Sequence, residues 1–270
     1  LDIYSNEARE ILNVRNDLYH NKFSENLDYF NVEWSNVKFK EKYFNYIKNS
    51  KKIFLSLNTI FCDMHGKNGN VEKIRCFKNK FFFIKSKNII LSCGGIENNR
   101  LLLLSLKNNK SLFKFDLPIG KYFMDHPKHD VGEGILLYKK FSSFLKNQNL
   151  FKFPSLECKN ITLSLNNEFL KKNQILNSSL EIKLKRTNPN SNIIRQASCI
   201  APRFVQNIYS SFASKDVYEF SLKILQEQFP FKYNRITLGP SNDPLGFSLP
   251  TLYWIKTSLL KNSALKILNE

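Results

Sequence analysis

The chain has 270 residues, 42% hydrophobic and 14% aromatic, with a formal net charge of +18. That length suits one large domain or two modest ones, and the aromatic content excludes a wholly disordered polymer. The positive excess is mostly lysine spread along the chain; "KKIF" and "YKKF" are short, whereas a nucleic-acid footprint is clustered and interleaves arginines with aromatics, so the charge reads as a solvated surface.

In chain order, residues 5–19 alternate charge with leucine or isoleucine at helical spacing. Over 36–50, Phe39, Tyr43, Tyr46 and Ile47 recur at i, i+4, i+7 and i+8, the apolar stripe of a helix. The period then changes. "KIFLSL" (52–57), "TIFCDM" (59–64), "VEKIRCF" (71–77) and "FFFIKS" (81–86) read as strands, with turns at "HGKNGN" (65–70) and "KNK" (78–80). Turns this short join only antiparallel neighbours. "NIILSC" (88–93) is apolar at consecutive positions, the pattern of a strand covered on both faces. A helix from Glu97 to about Leu106 follows it. Beyond residue 132, "GILLYKKF", "NITLSLN" and "SSLEIKLKR" read as strands and "DVYEFSLKILQEQF" (216–229) as a helix. "NRITLG" (234–239) and "PTLYWIK" (250–256) are strands around "PSNDPLGFSL", and "SLLKNSALKILNE" is an amphipathic helix.

Between "NIILSC" and its helix stand Gly94 and Gly95. Glycine at a strand's carboxyl end lets a ligand, or a second backbone, come close, and tight packing of helix on strand is served equally well. Glu97 in the first helical turn already satisfies the positive end of the dipole and repels a phosphate. A sugar hydroxyl or another helix terminus is the better neighbour, and Arg100 is placed to pair with Glu97 at i, i+3. "GEG" (132–134) lacks the third glycine and the helix of a nucleotide fingerprint. "YFMDHPKHD" (122–130) gathers Asp125, His126, His129 and Asp130. Pro127 breaks the helical geometry that would aim both histidines at one metal, so no metal site is expected and His126 reads as a polar group on a loop beside a cleft. Cys62, Cys76, Cys93, Cys158 and Cys199 are odd in number and include no CxxC pair, which implies reduced thiols rather than a disulfide framework or a zinc site. No apolar run reaches the roughly 18 residues needed to span a bilayer, and no secretory signal is visible.

In order, "FKEKYFNYIKNSKKIFLSLNTIFCDM", the turn at 65–70, "NIILSCGGIENNRLLLLS", "IGKYFMDHP" and "NRITLGPSNDPLG" resemble segments of the glucose-methanol-choline family of flavin-dependent oxidoreductases. The likeness covers about residues 36–132 and 224–256. It implies an α/β plus α+β fold: part of an FAD/NAD(P)-binding three-layer domain with an antiparallel excursion, joined to an antiparallel-sheet substrate domain. The implied division is 1–131 for the rear of the FAD-binding domain, 132–233 for the substrate domain and 234–270 for the start of the family's carboxyl-terminal region. The implied cofactor is FAD. The implied reaction is oxidation of the CH–OH group of a small alcohol, sugar or polyol, with hydride passing to the flavin and a histidine taking the hydroxyl proton. The resemblance places the backbone of Phe61 at the adenine, Gly94 and Gly95 near the ribose and pyrophosphate, and His126 beside the substrate cavity. It leaves the electron acceptor open.

The family's amino-terminal glycine-rich fingerprint and its carboxyl-terminal catalytic histidine block are not in the sequence, so no catalytic residue is assigned and the chain reads as the middle of a flavoenzyme, inactive alone. A cytoplasmic location is the default, with any targeting segment upstream of Leu1. Two other expectations stand beside this one: a non-catalytic remnant, and a basic nucleic-acid-binding module.

Overall fold

The computed structural model describes residues 2–14, 20–30, 35–137, 160–186, 192–205 and 217–270. After a short 3-10 turn, its helices are α1 (Ser5–Leu12), α2 (Phe39–Asn49), α3 (Gly95–Asn108), α4 (Asn167–Asn173), α5 (Asn192–Ile200) and α6 (Ser258–Asn269). Its strands are β1 (His20–Lys22), β2 (Leu27–Phe30), β3 (Ile60–Lys67), β4 (Asn70–Lys78), β5 (Lys80–Ile84), β6 (Lys128–Leu137), β7 (Asn160–Leu165), β8 (Ser178–Arg186), β9 (Val217–Gln226), β10 (Arg235–Asn242) and β11 (Ser248–Tyr253). The fold is mixed α and β, and every strand pairing among the described residues is antiparallel.

Two compact units interleave along the chain. One comprises Leu1–Val37, Asp125–Gln228 and Thr257–Glu270; the other comprises Lys38–Met124 and Phe229–Lys256. The serial division expected at 131 and 233 therefore cuts differently from the contacts, which return the chain's two end segments to the unit built on residues 125–228.

The first unit is a six-stranded sheet in the order β1-β2-β7-β8-β9-β6. Alternation sets its two faces. Leu27, Leu165 and Ile224 are buried on one face, with Ile267 of α6 and with Phe169 and Leu170 of α4 packed against them. The Asn166 side chain caps α4 by accepting from the Phe169 N–H at 2.9 Å, which satisfies an amide the helix start leaves open. Ser263 of α6 accepts from the Leu176 N–H at 3.0 Å, and Gln226 of β9 donates to the Leu260 carbonyl at 2.9 Å. On the other face, Asp130, Lys223 and Glu181 lie side by side across β6, β9 and β8. Lys223 meets Asp130 at 2.7 Å, and Lys128 and Lys183 meet Glu181 at 2.6 and 3.4 Å.

The predicted helix over 216–229 is thus a strand, β9, over its described part. Phe220, Leu222 and Ile224 alternate with Ser221 and Lys223 as readily as Tyr218, Leu222 and Leu225 recur at helical spacing. Pairing on both edges, to β8 and β6, decides for the strand. Residues 15–19 of the first expected helix and residues 138–141 of "GILLYKKF" lie outside the described residues.

The second unit holds the sheet β3-β4-β5, the hairpin β10-β11, α2 and α3. The turn expected at 65–70 narrows to Asn68-Gly69, with φ of 53° and 81° between the paired Lys67 and Asn70, the two positive φ values a tight hairpin needs. Two predicted strands are absent. Residues 52–57 and 88–93 carry no strand, and Phe54 is 94% and Ile90 86% exposed. An apolar run becomes a doubly covered strand only beside hydrogen-bonding neighbours, and no described strand pairs with either segment.

Candidate functional site

The paired glycines sit at the start of α3, after an exposed loop rather than a buried strand. Gly94 is the residue before the helix, with φ 89° and ψ 164°, a backbone region open essentially to glycine alone. Asn98 fixes the turn. Its Oδ1 accepts from the Cys93 N–H at 3.0 Å, its Nδ2 donates to the Leu91 carbonyl at 3.3 Å, and its own N–H donates to the Gly94 carbonyl at 2.9 Å. A Cβ built on either Gly94 or Gly95 meets nothing within 4 Å. The glycines therefore do not serve close packing of helix on strand. They leave backbone bare toward open space, the arrangement that admits a ligand.

The first turns of α3 are tied to segments far away in sequence. Asn99 donates to the Gly95 carbonyl at 2.7 Å, and its Oδ1 accepts from the Gly120 N–H at 2.7 Å. Gly120 accepts from the Ile236 N–H at 2.7 Å, and the Phe123 N–H donates to the Asn234 carbonyl at 2.8 Å. Lys121 forms a β-bridge with Arg235. Residues 120–123 thus run as an extra extended segment along β10.

Arg100, one turn in, makes three bonds: to Glu97 Oε1 at 2.9 Å, to Asp243 Oδ2 at 2.5 Å and to the Ser248 carbonyl at 2.8 Å. The pairing of Arg100 with Glu97 expected at i, i+3 is present. Asp243 was not anticipated. Its Oδ1 accepts from the Leu245 and Phe247 N–H groups at 3.0 and 2.9 Å, an Asx turn that the "DPLG" string signals. Burial pushes the Asp243 carboxyl up, but the Phe247 N–H, Arg100 and the Leu245 N–H outweigh it and hold it below the usual carboxylate range. Two carboxylates share the Arg100 guanidinium, and the Lys107 ammonium stands 3.5 Å from Ser248 Oγ. Glu97, in the first turn of α3, suits a hydroxyl donor and repels a phosphate.

The far end of α3 is fastened to β3. Ser105 accepts from the Met64 N–H at 2.9 Å, Asn108 donates to Asp63 Oδ2 at 2.7 Å, and Asn109 donates to the Gly66 carbonyl. Phe61, whose backbone is expected to meet an adenine, lies half-buried on β3 across from Cys76. It belongs to the same unit as Gly94 and Gly95. His126 belongs to the other unit and is exposed. Its loop is held by the Asp125 N–H donating to Gln228 Oε1 at 3.0 Å and the Gln226 N–H donating to the Pro127 carbonyl at 3.1 Å. Within the neighbouring cluster, Asp130 is committed to Lys223. Among the described residues, no three His, Cys, Asp or Glu side chains group to hold a metal ion, and no helix is long and apolar enough to cross a membrane.

Four cysteines fall among the described residues, all free: Cys62 and Cys76 buried, Cys93 and Cys199 exposed. Burial first, then the Asp63 carboxylate, pushes the Cys62 thiol up to about 11, and burial raises Cys76 as well. Such thiols are inert as nucleophiles. No protein-family model matches the chain, and no curated protein matches it.

Proposed function

We propose that the chain carries part of the cofactor site and the substrate unit of an FAD-dependent oxidoreductase of the glucose-methanol-choline type, acting on the CH–OH group of an alcohol, sugar or polyol. The observation that carries this reading is convergence. Three of the segments that bear the resemblance, around residues 94–100, 119–123 and 234–248, meet through Asn99, Gly120, Ile236, Arg100, Asp243 and Ser248. They meet beside two glycines whose Cα positions face open space.

In this reading, Gly94 and Gly95 let the nucleotide approach the backbone, and Phe61 supplies a neighbouring contact for the adenine. The acidic start of α3 turns toward a ribose hydroxyl, and His126 borders the substrate pocket. Bound FAD supplies the two-electron acceptor for the carbinol hydride. The parallel layer of the expected three-layer domain requires further strands beside 88–93, an apolar segment with no partner strand among the described residues. The exposure of Phe54 and Ile90 gives a second reading, a non-catalytic remnant, support of its own.

Titration of the chain with FAD separates the two. Binding is expected to quench flavin fluorescence and to raise the melting midpoint; at a hundredfold excess over Kd the stabilisation is about 2.7 kcal/mol. Alkylation of the exposed Cys93 should slow. Gly95→Val, at a site with space and no positive φ, should melt like the parent without FAD and lose the shift with it. A cooperative melt that FAD does not move would leave the remnant reading standing.

A further inference from the structure

The apolar stripe of α2 has not gone into a core. Phe39 is 51% and Tyr46 68% exposed, Tyr43 and Ile47 are half-buried, and the helix has no buried residue. At about 100° per residue, these four side chains fall within an arc of about 100°. Lys40 and Lys42 border that arc on either side; Glu41, Asn45, Lys48 and Asn49 occupy the remainder together with Phe44, which is 53% exposed and stands beyond Lys40. The Lys42 ammonium lies 5.5 Å from the Tyr43 ring centre and that of Lys48 5.8 Å from the Phe44 ring centre. The chain then leaves the helix into Ile53, Phe54, Leu55 and Leu57, all exposed. Between residues 38 and 52 there are six lysines and one acid, Glu41, a formal 6 − 1 = +5, and all six lysines are exposed.

Charge selects among the occupants such a surface could take. A second copy would bring +5 against +5. Single-stranded nucleic acid is held by aromatic stacking and cationic contacts, whereas four of the nine apolar side chains here are aliphatic: Ile47, Ile53, Leu55 and Leu57. An anionic bilayer surface matches every part. Its acyl boundary takes the aliphatic groups, its headgroup layer takes Phe and Tyr rings, and flanking lysines reach up to the phosphates while their stems stay apolar. We propose that residues 38–57 form a peripheral docking element that lies on an anionic lipid surface without crossing it. This inference is independent of the flavin reading.

The full chain should co-sediment with vesicles of phosphatidylcholine containing phosphatidylserine and not with phosphatidylcholine alone, and added salt should weaken the binding. Lys40→Gln and Lys42→Gln should each lower the partition coefficient about fivefold. Phe39→Ala with Phe54→Ala should lower it further, with circular dichroism unchanged because both positions are exposed. Phe39→Trp should add a blue-shifted emission component on anionic vesicles only. Absence of binding to the anionic vesicles would overturn the proposal. So would binding indifferent to all four positions, which would assign it to the overall charge. Loss of single-stranded DNA binding in these variants, with vesicle binding intact, would assign the surface to nucleic acid instead.

Discussion

Asp63 has no solvent exposure, and its carboxylate is saturated. Arg75 donates to both oxygens at 3.0 and 2.5 Å, Asn108 donates to Oδ2 at 2.7 Å, and His65 Nε2 lies 2.9 Å from Oδ1. Removal of the carboxylate costs charged hydrogen bonds, while Arg75, 27% exposed, can still reach water. Asp63→Ala should cost about 1.5–3 kcal/mol, read as a lower urea midpoint at unchanged slope; Asp63→Asn, which keeps the shape and two acceptor lone pairs, should cost less. Asp243 gives the pH dependence. Its pKa is depressed in the fold, so its contribution is complete above the unfolded value of about 3.9 and is lost as pH falls through the folded value. Asp243→Asn should be less stable than the parent at neutral pH, and the gap should close in acid. Nothing in "TIFCDM" marked Asp63 as buried, since aspartate on a strand ordinarily faces water. Asp243 was legible as a turn former in "DPLG"; its second role, as partner to Arg100, depends on a contact 143 residues away.

Gly120 and Gly95 separate two uses of glycine at the level of elements. Gly120 has φ 74°, and a Cβ there would stand 2.3 Å from the Ile236 carbonyl oxygen, against the strand that the 120–123 segment joins. Gly120→Ala should therefore destabilise by roughly 2–4 kcal/mol in urea denaturation, while Gly95→Ala should be neutral or stabilising by less than about 1 kcal/mol. The hairpin at Asn68-Gly69 was readable because its chemistry is local. So were α2, α3 and α6, whose spacing holds over several turns. The strands assigned to 52–57 and 88–93 failed because apolar content specifies burial without supplying the neighbour. Over 216–229 two periods fit one string, and β8 and β6 chose between them.

A formal charge of +18 bears on the molecule as a whole. Like charges repel more in the compact state, and salt screens them. Raising the ionic strength with sodium chloride should raise the melting midpoint, and the midpoint should be lowest in dilute buffer. The same charge, concentrated locally over residues 38–52, underlies the proposed membrane contact. Its density there was invisible in the overall composition, which averages these residues with the rest of the chain.

Local chemistry is what the sequence by itself determined: the mixed α and β character, the tight turns, the glycine pair before α3 and the Glu97–Arg100 pairing, each settled within a few residues of itself. Tertiary structure alone decided the interleaving of two units, the exposure of 52–57 and 88–93, and the meeting of Asn99 with Gly120 and of Arg100 with Asp243. These depend on which distant segment fills the space beside a residue, and a side chain's own periodicity carries no record of its partner.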